Sequence, residues 1–192
     1  FYRDTMEENG TDFVNNLSDK SELPTSRSMI FVSDDGERSM NTYLGISAEL
    51  GPEDVNLEVA ASADIVFLEG YLFDKDKGKE AFIKLAKDCR AAGGLSGIAI
   101  SDPFCVERHR ADFLSLIKNE LDYVIGNKEE IMALFETDNF ESALSKAVDI
   151  SPLVVCTRSS EGVTAIQEGN RLDFRVEPCL LYTSPSPRDS SE

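Results

Sequence analysis

Between Asp64 and Thr157, short apolar runs alternate with longer stretches at helical spacing, and this alternation limits the possible folds more than any other feature. Residues 65–68, Ile-Val-Phe-Leu, are too few for a helix and read as a strand. Residues 76–92 carry Ala81, Phe82, Leu85, Ala86 and Cys89 on one helical face, and Gly93-Gly94 follow where a helix should terminate. Residues 97–101 read as a second strand, 106–118 as a helix and 122–126 as a third strand. Helices over 129–135 and 140–148 then lead to a fourth strand at 153–156. The order predicts an α/β fold, with a parallel sheet and helices on both faces. Residues 163–167 and 172–176 flank Gly169-Asn170 and read as a hairpin. Residues 26–32 and 38–44 flank the turn Ser33-Asp34-Asp35-Gly36 and read as another.

Composition removes several function classes. The formal net charge of −17 opposes broad contact with nucleic acid or an anionic membrane. It is compatible with a nucleotide ligand, whose phosphates can be held by backbone amides, a few cations and Mg2+. No run of about 18 apolar residues is present to span a bilayer. Cys89, Cys105, Cys156 and Cys179 form no C-x-x-C pair, and His109 is the single histidine, so neither a zinc site nor a disulfide framework is expected. The cysteines read as small buried hydrophobes of a cytoplasmic protein. His109 lies among Glu107, Arg108 and Arg110 and reads as a surface residue. The first residue is Phe1, no secretory signal pattern follows, and a cut start is expected.

In open α/β sheets ligands bind beyond the carboxyl ends of the strands. Glu69 follows the first apolar run, Asp102 the second, Asn127 the third with Glu130 three residues on, and Thr157 the fourth. Four successive strands therefore deliver polar groups to one edge. Each residue also has a plainer reading: Asp102 as a turn or helix cap, Asn127 as a helix cap, Glu69 as a solvated loop residue, Thr157 as a strand-end hydroxyl. The G-x-x-x-x-G-K-[ST], G-x-G-x-x-G, H-R-D and G-x-S-x-G patterns are all absent.

Asn127-Lys128-Glu129-Glu130, after a strand and before a helix, is similar to the N-x-x-E motif of the PfkB kinases, the family of ribokinase, adenosine kinase and fructokinase. Residues 154–162, VVCTRSSEG, resemble that family's strand ending in T-x-G-x-x-G, with Ser159 where many members have glycine. Residues 26–45 resemble the adenosine kinase-like branch, residues 64–71 resemble the strand that delivers a substrate-side acidic residue, here Glu69, and residues 101–103 resemble the segment after the next strand. The resemblance runs over about residues 1–178. It implies a ribokinase-like fold in which residues 1–45 contribute part of a small β lid and 64–157 the α/β core. It also implies an ATP-dependent kinase acting on a hydroxyl of a ribose-like sugar or nucleoside. By the same resemblance Asn127 and Glu130 hold Mg2+ through water, Thr157 and Gly162 border ATP, and Glu69 and Asp102 lie on the acceptor side. Another PfkB sugar kinase (a ribokinase, fructokinase or ketodeoxygluconate kinase) and a non-catalytic α/β ligand-binding domain are the alternatives. A homodimer of the complete protein is compatible with either kinase reading.

Two family motifs have no counterpart here: the N-terminal G-G-x-x-x-N segment and the D-T-x-G-A-G-D motif that supplies an anion hole and the catalytic base. Residues 179–189, CLLYTSPSPRD, resemble instead a translated sequencing-library adapter, so 179–192 are expected to be a non-native tail. The chain is accordingly expected to be an incomplete kinase domain, inactive by itself and prone to associate.

Overall fold

The computed structural model describes residues 2–15, 22–36 and 38–177. The expected tail and Cys179 lie outside the described residues. A short helix, α1 (Tyr2–Glu8), precedes a two-stranded antiparallel sheet of β1 (Arg27–Val32) and β2 (Arg38–Tyr43). The hairpin turns at Gly36, whose φ of +83° suits a residue without Cβ. Every described residue of both strands is exposed, Met29, Ile30, Phe31, Val32, Met40 and Tyr43 among them.

The remaining chain builds the core. Helix α2 (Leu57–Ser62) leads into β3 (Ile65–Glu69), α3 (Asp76–Ala91), β4 (Leu95–Ala99), α4 (Pro103–Glu120) and β5 (Tyr123–Asn127). Then come α5 (Lys128–Leu134), α6 (Phe140–Val148), β6 (Leu153–Thr157), β7 (Val163–Gln167) and β8 (Asn170–Phe174). The six strands form one sheet in sequence order, parallel from β3 to β6 and antiparallel from β6 to β8. The fourth parallel strand is thus covered by the hairpin, and among the described residues the open edges are β3 and β8.

The expected parallel α/β core is present, but among the described residues the helices line one face of the sheet only. The reason is topological. A right-handed crossover puts its helix on a fixed side of the step from strand to strand. Here every step runs in the same direction, so α3, α4, α5 and α6 form one layer, each touching the next, with α2 against α3. Leu68, Ile98, Val124, Val154 and Cys156 point into that layer and are buried. Their neighbours Ile65, Phe67 and Leu95 point the other way and are 56%, 56% and 49% exposed.

The turn after β3 is pinned to the core. Gly70 lies flush on β4: a Cβ there would sit 2.8 Å from the carbonyl oxygen of Ala99. Phe73 is buried and stacks on Phe113 of α4 with ring centroids 4.1 Å apart. Asp74 ends the same turn and accepts from both Arg108, at 3.0 Å, and His109 Nε2, at 2.9 Å. His109 is therefore a half-buried partner of Asp74 and not the surface residue its charged neighbours suggest, and α4 kinks there, with φ −124°. Burial pushes the Asp74 carboxyl up, but the hydrogen bonds from His109 and Arg108 outweigh it and hold the group below its ordinary range.

Candidate functional site

Glu69, Asp102, Asn127 and Thr157 all fall at the carboxyl ends of β3 to β6. The plainer local roles are also real. Glu69 Oε2 accepts the Tyr71 amide at 3.3 Å, at the start of the 3-10 turn Gly70–Asp74. Asp102 Oδ1 accepts the amides of Phe104 at 2.6 Å and Cys105 at 3.2 Å, capping α4 ahead of Pro103.

Asn127 and Glu130 form a reciprocal capping box at the start of α5. Asn127 Oδ1 accepts the Glu130 amide at 2.8 Å, and Glu130 Oε2 accepts the Asn127 amide at 2.9 Å. Asn127 Nδ2 adds a third bond, to Glu130 Oε1 at 2.7 Å. Both carboxylate oxygens are thereby oriented, and the side chain is drawn in until only 6% of the residue is exposed. Glu130 is the only buried carboxylate among the described residues. Burial pushes its acid strength down, and the charges of Asp102 and Glu129 push the same way against the bond from the Asn127 amide, so its pKa lies above the ordinary carboxylate value.

Asn127 pairs in register with Thr157 across β5 and β6. Both line an open cleft of about 550 Å³ together with Lys128, Arg158, Ser159 and Gly162. The cleft floor depends on two left-handed residues. Ser159 has φ +50°, the region that a glycine would occupy more readily, and so the turn survives the replacement seen in the sequence. Gly162 has φ +98°, and a Cβ there would lie 1.9 Å from the carbonyl oxygen of Phe174, so no side chain fits.

The predicted residues therefore fall into two groups. Asn127, Thr157 and Gly162 share the cleft, while Glu69 and Asp102 sit outside it on the β3–β4 side, and Glu130 is buried in the first turn of α5 and does not line the cleft. Tyr71 lies on the β3–β4 side: burial raises the pKa of its hydroxyl, and the charges of Asp102, Glu69 and Glu130 add to the effect. Sequence reasoning missed Tyr71, although an aromatic two residues beyond a strand-end carboxylate was a readable signal. It also missed Ser101 and Arg158. Arg158 is drawn to Glu161 and Asp173 at 3.5 and 3.4 Å and walls the cleft, an arrangement set by the turn at residues 159–162.

The donor set can be tested against a hydrated cation. Among the described residues no three His, Cys, Asp or Glu converge as direct ligands. Mg2+ is a hard ion that keeps several waters and commonly takes only one or two carboxylates, so an oriented Glu130 fits a water-mediated role. The thiols of Cys105 and Cys156 are pushed up to about 11 by burial and do not compete as soft ligands. Cys89, Cys105 and Cys156 are buried and free, as their sequence surroundings predict.

Residues 1–179 match the family described as pfkB family carbohydrate kinase. A probable sugar kinase protein from Rhizobium etli CFN 42 is 37% identical, with TM-score 0.87, over 92% of this chain and 54% of its own. An adenosine kinase from Sinorhizobium meliloti is 36% identical, with TM-score 0.89, over 96% of this chain and 57% of its own. A ribokinase from Thermotoga maritima shares the fold at 21% identity and TM-score 0.68, over 93% of this chain and 57% of its own. The chain thus spans a little over half the length of these structures. No curated protein sequence matches it.

Proposed function

Because this chain belongs to the pfkB family of carbohydrate kinases, we propose that it carries the nucleotide side and part of the acceptor side of an ATP-dependent phosphotransferase. The acceptor would be a hydroxyl of a ribose-like sugar or nucleoside, as in an adenosine kinase. The observation that carries this reading is the Asn127–Glu130 box, whose Asn127 pairs with Thr157 and lines the same cleft as Thr157 and Gly162. Phosphoryl transfer is governed by positioning and by neutralising charge, not by covalent work from the protein. Thr157 and the backbone around Gly162 would border the nucleotide. Glu130, with Asn127 holding its oxygens, would accept from the waters of Mg2+. Bound MgATP supplies the phosphoryl group and the cation that offsets its charge. Glu69 and Asp102 would accept hydroxyl protons of the acceptor in hydrogen bonds. The hairpin β1–β2 would serve as part of a small lid, and the cytoplasm as the working compartment.

A second acceptor class remains in view for a specific reason. The sugar kinase and the adenosine kinase are equally similar to this chain, at 37% and 36% identity. A simple sugar is therefore as consistent with the likeness as a nucleoside.

The test uses the chain itself. ATP with Mg2+ should shift the amide resonances of Thr157 and Gly162, and Glu130→Gln should raise the Mg2+ concentration needed for that shift, because a neutral amide attracts a hydrated cation less than a carboxylate does. Resonances that stay still, or an unchanged Mg2+ requirement in the variant, would count against the reading.

A further inference from the structure

Glu69 is held by a residue 32 positions away. The Ser101 hydroxyl donates to Glu69 Oε1 and accepts the Gly70 amide at 3.1 Å. The carbonyl oxygen of Ala99, at 2.9 Å, competes for the same proton, but a carboxylate is the stronger acceptor. The second carboxylate oxygen takes the Tyr71 amide. Glu69 therefore has one oxygen anchored to each side of the β3–β4 mouth, and its remaining lone pairs are fixed in direction.

Ser101 reaches this position at some cost. Its φ is +68°, in the left-handed region where a Cβ crowds the following carbonyl and where glycine or asparagine is the usual occupant. Glycine would adopt this backbone more easily but would bring no hydroxyl. Strained residues persist where the surroundings over-determine them, and here the flush packing of Gly70 on Ala99 and Ile100 leaves the hydroxyl within reach of Glu69.

We propose that Ser101 is a positioning residue that orients the Glu69 carboxylate toward the acceptor hydroxyl. The proposal rests on the acceptor-side reading of Glu69 given above. It separates backbone strain from hydroxyl chemistry, and two variants exploit that. Ser101→Gly removes both the strain and the hydroxyl, whereas Ser101→Ala removes the hydroxyl alone.

Carbon-13 NMR of the full 192-residue chain reads the result. In both variants the Glu69 carboxyl resonance should move by the same amount, and Gly70 amide exchange should speed up by about tenfold or more as its acceptor is lost. The melting temperature should fall further in Ser101→Ala than in Ser101→Gly. A Glu69 change that tracks stability across the two variants, or no change at all, overturns the proposal, since either is what a merely structural serine would give. Adenosine added to the wild-type chain reads the acceptor assignment separately. Shifts at Glu69 and Tyr71 that vanish in Ser101→Gly support the proposal. Shifts that persist in Ser101→Gly overturn the positioning role but keep Glu69 on the acceptor side. Absence of those shifts in the wild type, with Glu69 still altered by Ser101→Gly, removes the acceptor role of Glu69 and the proposal with it.

Discussion

The two faces of the six-stranded sheet are made from the same strands, residue by alternate residue, yet they live in different surroundings. On the covered face Ile98, Val124 and Val154 meet four helices and are shut away from water. On the other face Ile65, Phe67 and Leu95 are of the same apolar kind and are about half exposed. Strand alternation alone would put polar residues on an exposed face. Here the polar residues of that face, Glu69, Asn127 and Thr157, stand only at strand ends, and the apolar stretch before them is the signature of strands suited to burial on both sides. Hydrophobicity therefore marks where a surface can be covered, while stability comes only from where it is.

The largest effect should come from the covered face. Ile98→Ala should cost about 2–5 kcal/mol by lost transfer energy and the cavity left behind, read as a fall in the denaturant midpoint. A loss below about 1 kcal/mol would break the contrast, because values that small belong to sites that exchange with water.

An intermediate effect should come from Glu130, the carboxylate taken in at the end of the covered face. Its folded pKa is raised by burial, so the folded state binds its proton more tightly than the unfolded chain does. Its contribution to stability is present below the unfolded pKa and is lost as pH rises through the folded one, with a slope of at most about 1.4 kcal/mol per pH unit. Thermal melts against pH should show this component in the wild type and not in Glu130→Gln. A stability that rises with pH across that window because of Glu130 would reverse the assignment of burial as the dominant cause.

The smallest effect on stability should come from the uncovered face. Phe67→Ser should change the unfolding free energy by about 0.5 kcal/mol or less while reducing self-association in sedimentation, since it removes exposed apolar surface beside the open edge of β3. If association is unchanged, a different surface carries it, and the exposed hairpin with Phe31 and Met40 becomes the first to test.

Much of the fold could be read directly. The strand at 153–157, the helix at 140–148 and the terminator at Gly93 follow from short-range patterns that the structure reproduces nearly residue for residue. The short helices at 2–8 and 57–62 were not read, since neither is long enough to display a period. The second strand was expected to begin at Gly97, but it starts at Leu95, because Leu95 and Ser96 pair in register with Ile65 and Val66 of β3, a partner that local sequence does not reveal. The candidate site was legible where chemistry coincides with a strand end, as at Glu69, Asp102, Asn127 and Thr157. It was not legible at Ser101, whose partner Glu69 is 32 residues away, or at Arg158, whose partners Glu161 and Asp173 are brought to it by the turn and the hairpin that follows.

By itself the sequence determined the element order from residue 64 on, the parallel core and the gathering of polar residues at one edge, since each follows from local periodicity and the direction in which strands must run. Tertiary structure alone decided which set of alternating side chains is buried. That choice depends on the handedness of every crossover and on the strand order, and neither is a property of any one segment. It also decided that Ser101, in a backbone conformation its type seldom takes, reaches the carboxylate of Glu69. Adjacent strands bring together residues 32 apart, and only the packed sheet fixes their distance.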